Sequence, residues 1–119
     1  MRGCAGRVPG YGARVLRHVA VFRWAEGTPA ADVDAFASAL AGLPAVIPEV
    51  RAYRFGPDAG LGMSANADFA VVADFDDAEG YAAYAGHPAH QDVIVRLLRP
   101  MVAERMSVQF TFRPDPDGG

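Results

Sequence analysis

Hydrophobic residues recur along this chain with two periods, every second position in some stretches and every third or fourth in others. Residues 15–24 are rich in valine and aromatic side chains and are largely apolar on both faces of an extended chain, which predicts a buried strand. The stretches 49–56 and 67–76 also predict strands, and 107–112 alternates clearly between hydrophobic and polar residues. Four strands are therefore expected.

Two regions with helical spacing lie between these strands. Between the first and second strands, an apolar stripe predicts one helix. Its members are Val33, Phe36, Ala37, Leu40 and Leu43. Between the third and fourth strands, a short helix should carry Tyr81 and Tyr84 and end near Gly86. A second helical piece should begin at Pro88, and Pro100 should kink or end it.

The predicted elements follow in the order β-α-β-β-α-β, with the second helical region in two pieces. This order is typical of the ferredoxin-like α+β fold, a four-stranded antiparallel sheet with its helices on one face. Because helices cover only one face and the strands are largely apolar on both, the open face needs a partner. A second copy of the same sheet is the simplest partner. The sequence therefore predicts a homodimer that forms through the sheet face.

Composition and charge exclude several classes of function. The chain has 119 residues, which is enough for one domain, and a net charge of −3. All eleven basic residues are arginine, so a lysine Schiff base and the lysine of a phosphate-binding P-loop are both absent. Residues 19–112 hold twelve acidic residues and six arginines, unlike a surface that binds nucleic acid. Neither a cofactor nor a nucleic-acid partner is expected.

The cysteine content and the ends of the chain bear on location and domain limits. Cys4 is the single cysteine, so no intrachain disulfide can form, and a reducing, cytoplasmic location is expected. No apolar stretch is long enough to cross a membrane. Residues 1–14 are expected to form a flexible basic arm, 15–113 the folded domain, and 114–119 a loose tail.

The stretch YAAYAGHPAH, residues 81–90, carries the residues best suited to catalysis. His90 is the candidate base, because a histidine titrates at about pH 6.5 and a place in the first turn of a helix keeps its ring neutral. Tyr84 is the candidate donor to a carbonyl oxygen. His18 and Phe22 share one face of the first strand and are expected to reach the same cavity as substrate-binding residues.

Other interpretations of these residues stay open at this point. His87 and His90 are three positions apart and could converge on a metal ion with His18, but the chain lacks the dense cysteine and histidine set of structural zinc sites, so no metal is expected. His87 is a further candidate for substrate binding, and before a proline it is also placed to cap a helix. Tyr84 can also serve simply as packing against the sheet.

The order and composition of these pieces resemble the stress-responsive A/B barrel family, the Dabb domain. The resemblance covers roughly residues 18–112 and rests on RHVAVFRWAEGT, ALAGLPAVIPEVRAYRFGPD, FAVVADFDDAEGYAAYAGHPAHQDVIVRLLRPMV and the closing aromatic strand. It implies a ferredoxin-like subunit that pairs with a twin into a dimeric α+β barrel. Many members of the family are known only as stress-induced proteins, so membership alone implies no reaction.

One plant member of the family is a polyketide cyclase that closes an aromatic ring without metal or cofactor. Its catalytic tyrosine and histidine correspond here to Tyr84 and His90, and the family's first-strand histidine corresponds to His18. At the start of the third strand this chain has Ala67-Asp68-Phe69 where the cyclase has Tyr-Thr-His, which implies a different substrate.

The resemblance therefore implies a homodimer with a small apolar cavity and cofactor-independent cyclase or isomerase chemistry on a small carbonyl compound. One alternative is a stress-associated assembly or ligand-binding protein without turnover. Another is a cofactor-free oxygenase.

Overall fold

The computed structural model describes residues 14–62 and 64–114. Its strands are β1 (Val15–Trp24), β2 (Ala52–Pro57), β3 (Phe69–Phe75) and β4 (Val102–Phe112). Its helices are α1 (Ala30–Ala41), α2 (Leu43–Val46), α3 (Ala78–Ala85) and α4 (Pro88–Val93), and α4 continues into a π-helical turn, Ile94–Leu98. The predicted basic arm and loose tail fall almost wholly on residues 1–13 and 115–119, outside the described ranges, and stay predictions.

The strands lie in the order β2-β3-β1-β4, and each pair of neighbours is antiparallel. β1 lies inside the sheet and has the bounds that its sequence pattern predicts. This is the ferredoxin-like topology, so the predicted fold class is confirmed. No helix within the described ranges is long and apolar enough to cross a membrane.

Aromatic and aliphatic side chains fill the space between the sheet and the helices. α1 contributes Phe36 and Leu40 from its predicted stripe, and β3 contributes Phe69 and Phe75, all almost fully buried. The rings of Phe36 and Phe69 pack with centroids 5.4 Å apart. Burying each of these side chains stabilises the fold by roughly 1.5–3 kcal/mol. The core thus fixes the helices over one face of the sheet.

The opposite face of the sheet carries an apolar strip, which we call the open strip. It consists of Val19 and Val21 on β1 and Met106, Val108 and Phe110 on β4, which lie beside them. The three β4 side chains are 73%, 56% and 46% exposed, respectively. Two ion pairs lie on the same face, Arg17–Asp74 and Arg23–Glu104. An exposed apolar area rimmed by charges is typical of a protein–protein interface.

Strand pairing sets where β4 begins, and Pro100 sets where the second helical region ends. β4 begins at Val102, earlier than the predicted residue 107, because it pairs with β1 along nearly the whole length of that strand. After α4 the helix takes π geometry, and the N–H of Arg99 donates to the carbonyl of Ile94 at 2.9 Å. Pro100 has no N–H to continue the helix, so the chain turns into β4, as predicted.

Candidate active site

A cavity of about 200 Å³ lies between the sheet and the helices. One part of its wall is apolar and is formed by Ala20, Phe22, Phe36, Leu40, Ile94 and Leu98. The other part is polar and is formed by His18, Tyr81, Tyr84, His90 and Gln91, together with two arginines. About half of the lining residues are thus polar, and polar groups that converge beside an apolar wall are typical of a small-molecule site.

The junction of α3 and α4 positions the two candidate catalytic residues. The carboxylate of Asp77 caps α3, accepting a backbone N–H at 2.9 Å, and Nδ1 of His87 caps α4, accepting a backbone N–H at 3.0 Å. Both helices are short, so these caps fix where each one starts. As a result Tyr84, on α3, and His90, on α4, lie against each other with ring centroids 4.2 Å apart.

His90 is held as a neutral base. Its Nδ1 lies 3.2 Å from the carbonyl oxygen of Ala85, and since a carbonyl only accepts hydrogen bonds, Nδ1 carries the proton and Nε2 is free. Burial lowers the pKa of His90, the contact with Ala85 opposes this, and the charge of Arg105 lowers the pKa further. Burial, rather than the end of a helix, is therefore the main reason that the ring stays neutral.

His18 is held in the opposite tautomer. The side-chain amide nitrogen of Gln109 lies 2.7 Å from Nδ1 of His18, and because an amide nitrogen only donates, Nε2 of His18 carries the proton. Burial lowers the pKa of His18, and the charge that His90 carries when protonated and the charge of Arg105 lower it further. The cavity wall thus holds one imidazole that can accept a proton and one that can donate a hydrogen bond.

Tyr84 is buried, and its hydroxyl lies 2.8 Å from the hydroxyl of Tyr53 on β2. Burial raises the pKa of Tyr53 to about 12. Burial, and then the neighbouring Tyr53, raises the pKa of Tyr84 as well. Tyr84 therefore stays protonated at neutral pH, and when Tyr53 donates to it, its own hydrogen is available to a ligand.

The structure brings four of the five predicted site residues together. His18, Phe22, Tyr84 and His90 all line the cavity, whereas His87 does not and instead caps α4. The geometry gives no support to substrate binding by His87, because its Nδ1 is occupied by the backbone. Within the described residues, no three histidine, cysteine, aspartate or glutamate side chains are placed to hold a metal ion.

Sequence reasoning missed several residues that line the cavity or contact Tyr84 and His18. Arg99 and Arg105 line the cavity, while Tyr53 and Gln109 contact Tyr84 and His18, respectively. The alternation of residues 107–112 was a signal for Gln109, and pairing with β1 extends the same alternation to Arg105, so residues 105, 107, 109 and 111 lie on the side of the sheet that faces the helices. The positions where the chain departs from the plant cyclase, 67–69, do not line the cavity.

The lowered pKa values of His18 and His90 predict that acid destabilises the fold. In the unfolded chain these histidines titrate at about pH 6.5, and in the folded chain they titrate lower. Below about pH 6.5 the unfolded chain binds more protons than the folded chain. As the pH falls below this value, the free energy of unfolding should therefore decrease by up to about 1.4 kcal/mol per pH unit for each histidine. Above this pH the two histidines should have no effect on it. Urea unfolding followed by Trp24 fluorescence at several pH values measures this dependence.

The control for this prediction is the double variant His18→Gln, His90→Gln. Its free energy of unfolding should depend less on pH between about 6.5 and 5 than that of the natural chain. Parallel pH profiles for the two proteins would show that the histidines are not the groups responsible.

Comparison with known proteins places the chain in a family. The model of the stress responsive A/B barrel domain, Dabb, matches residues 16–112. The chain belongs to the Dabb family. No protein of curated function matches it.

Three solved structures with the same fold include two dimers. A dimeric ferredoxin-like protein of unknown function from Thermobifida fusca is 42% identical to this chain, with a TM-score of 0.77. The alignment covers 86% of this chain and 94% of that protein. A dimeric ferredoxin-like protein of unknown function from Bacteroides fragilis is 24% identical, with coverages of 82% and 96% and a TM-score of 0.73. The hydroxynitrile lyase of Passiflora edulis is 14% identical, with coverages of 82% and 93% and a TM-score of 0.72. The dimeric relative from Thermobifida fusca supports the predicted homodimer, and the other two structures show the fold alone.

Proposed function

We propose that this Dabb protein catalyses cofactor-independent proton transfer on a small carbonyl compound, as an isomerase or cyclase. The observation that carries the proposal is the pairing of Tyr84 and His90, 4.2 Å apart between ring centroids, in the wall of one cavity. A protonated hydroxyl and an unprotonated imidazole nitrogen in one cavity wall supply both the acid and the base that enolate chemistry needs.

In the proposed step, Nε2 of His90 takes a proton from the carbon beside the substrate carbonyl. The electron pair of that C–H bond becomes the C=C bond of an enolate, and the carbonyl oxygen gains the negative charge. The hydroxyl of Tyr84 and the Nε2–H of His18 donate hydrogen bonds to this oxygen. Return of the proton to another atom gives an isomer, while attack of the enolate carbon on a second carbonyl closes a ring.

The apolar part of the wall supports this chemistry. Phe22, Phe36 and Leu98 line the cavity and are almost fully buried, so they limit the water around a bound ligand. In such a medium a hydrogen bond to a developing oxyanion is stronger than in water. The small volume favours a compact substrate over a long acyl chain.

The same proposal includes assembly through the open strip. Val108 and Phe110 leave about half of their side-chain surface exposed on one subunit, and pairing two sheets face to face would bury them. That the 42% identical protein from Thermobifida fusca is dimeric supports a homodimer. We also place the protein in the cytoplasm, where its single thiol stays reduced.

The test is proton exchange catalysed by the natural protein in deuterium oxide. Phenylacetone, acetophenone and 4-oxopentanoate each carry acidic C–H groups beside a carbonyl, and proton NMR follows the loss of those signals. At least one compound should exchange about 100-fold faster than in buffer alone. The rate should be constant near neutral pH and fall once the pH drops below the lowered pKa of His90, because an imidazolium is no base.

The outcomes also separate the alternatives. Binding of a compound without faster exchange would replace the proposal with the ligand-binding alternative. A product that forms from an aromatic compound only in the presence of oxygen would replace it with the cofactor-free oxygenase.

A further inference from the structure

The cavity wall contains positive charge that the proposed proton transfer does not use. We infer that the cavity selects small carboxylates, and that Arg105, with Arg99 nearby, binds the carboxylate group while Tyr84 and His90 face the carbonyl end. This inference deepens the proposed function by naming the chemical class of its substrate.

The first observation is the charge of the wall. Arg99 and Arg105 both line the cavity, and none of its lining residues is an aspartate or a glutamate. With both histidines neutral, the wall therefore carries two positive charges, although the whole chain is acidic with a net charge of −3. A cavity lined by one sign of charge attracts small ions of the opposite sign.

The second observation is that four of the nine arginines in the described residues have carboxylate partners, and that Arg99 and Arg105 are among those that do not. Four ion pairs are present in the described part of the chain: Arg17–Asp74, Arg23–Glu104, Arg51–Asp76 and Arg96–Asp92. Across the same residues, no carboxylate lies within ion-pairing distance of Arg99 or Arg105. Their guanidinium groups are therefore open to a carboxylate supplied by a ligand, which guanidinium can hold with two parallel hydrogen bonds.

The third observation is the position of Arg105. It lies opposite Phe22 in the pairing of β1 with β4, and both residues line the cavity and also a more open groove of about 590 Å³. The charge of Arg105 lowers the pKa of both His18 and His90, so it acts on the two imidazoles from close by. Arg105 thus lies in the cavity wall close to both imidazoles, where it can contact an anion bound there.

The size of the cavity limits the rest of the substrate. An engineered apolar cavity of about 150 Å³ binds benzene, so the 200 Å³ here fits an aromatic ring or a short acyl chain. The apolar residues Phe36, Leu40 and Leu98 surround such a body. The expected substrate is accordingly a compact oxo-acid or aromatic acid.

The experiment compares carboxylates with their neutral amides as ligands of the whole chain. The probes are benzoate with benzamide and 4-oxopentanoate with 4-oxopentanamide, and binding is measured by NMR titration at low salt. At least one carboxylate should bind about 10- to 100-fold more tightly than its amide, because hydrogen bonds to charged groups are the stronger ones. The preference should weaken as salt is added.

Variants locate the anion. Arg105→Gln should weaken carboxylate binding about 10-fold or more while amide binding changes less than about twofold, and Arg105→Lys should keep part of the preference. The matched control is Arg96→Gln, which removes the same charge from an exposed arginine outside the cavity and should leave both affinities unchanged. Binding of benzoate should also raise the pKa of His90, since it offsets the charge of Arg105.

The inference is overturned if neither carboxylate binds more tightly than its amide, or if Arg105→Gln leaves carboxylate binding unchanged. Its failure is distinct from failure of the proposed function. Exchange of neutral ketones without any preference for carboxylates would retain the proton transfer and reject the anion site. Carboxylate binding that depends on Arg105, without exchange, would retain the anion site and reject the catalysis.

Discussion

Replacing His90 with glutamine should lower the rate of proton exchange about 10²- to 10⁴-fold, which is the usual contribution of a positioned general base. Glutamine offers no nitrogen that accepts a proton at neutral pH, and the carbonyl of Ala85 keeps its hydrogen bond from the side chain of Gln91, at 2.6 Å. The affinity for a substrate should change much less than the rate, because the loss falls on the transition state.

Tyr84→Phe tests the other half of the pair. It should lower the exchange rate about 10²- to 10³-fold, the usual cost of removing one donor to an oxyanion. The substitution also removes the hydroxyl that lies 2.8 Å from the hydroxyl of Tyr53. The free energy of unfolding of the variant should therefore be measured as well. Combined with His90→Gln, the loss should be far smaller than the product of the two single losses, because both residues act in one step.

His87→Asn is the matched control for His90→Gln. Asparagine removes the imidazole yet retains an acceptor for the backbone N–H that His87 now caps, so α4 should still begin at the same place. The exchange rate of this variant should stay within about twofold of the natural chain. A loss as large as that of His90→Gln would contradict the assignment of the base.

The sequence predicted those cavity residues whose positions follow from strand alternation or from a short separation along the chain. His18 and Phe22 follow from strand alternation in β1, and both line the cavity. Tyr84 and His90 lie in one local run of α3 and α4, so their short separation limits how far apart they can be. The resemblance to Dabb proteins added their roles, which spacing alone does not supply.

Several of the residues that sequence reasoning missed are placed by pairing between distant strands. Tyr53 reaches Tyr84 from β2, 31 positions away, and Gln109 reaches His18 from β4, 91 positions away. Arg105 lies in the part of β4 that the sequence did not predict as strand, because the stretch from Val102 to Met106 carries two charges and lacks a clear alternation. Pairing with β1 overrides that weak local preference.

The cavity and the open strip share two strands, which links assembly to the site. Alternate residues of β1 face opposite ways, so Ala20 lines the cavity while Val19 and Val21 belong to the open strip. On β4 the same alternation places Arg105 at the cavity and Met106 on the strip. Burying the strip in a dimer would therefore also hold the strand that carries the arginine.

Replacing Val108 with aspartate should convert the homodimer to a monomer. In a symmetric interface the substitution appears twice, so two carboxylates lose their water. Each costs roughly 2 kcal/mol or more without a partner, and about 4 kcal/mol in total raises the dissociation constant by about 10³-fold. Sedimentation at several protein concentrations measures the change.

The control is Thr111→Asp, which places the same charge on the opposite face of the same exposed strand and should leave the dimer intact. If Val108→Asp stays dimeric while folded, the subunits associate through some other surface, and the open strip needs another explanation. If it is monomeric and also loses carboxylate binding, β4 depends on the partner subunit to hold Arg105 at the cavity. A monomer that binds carboxylates normally would instead show that the site is complete within one chain.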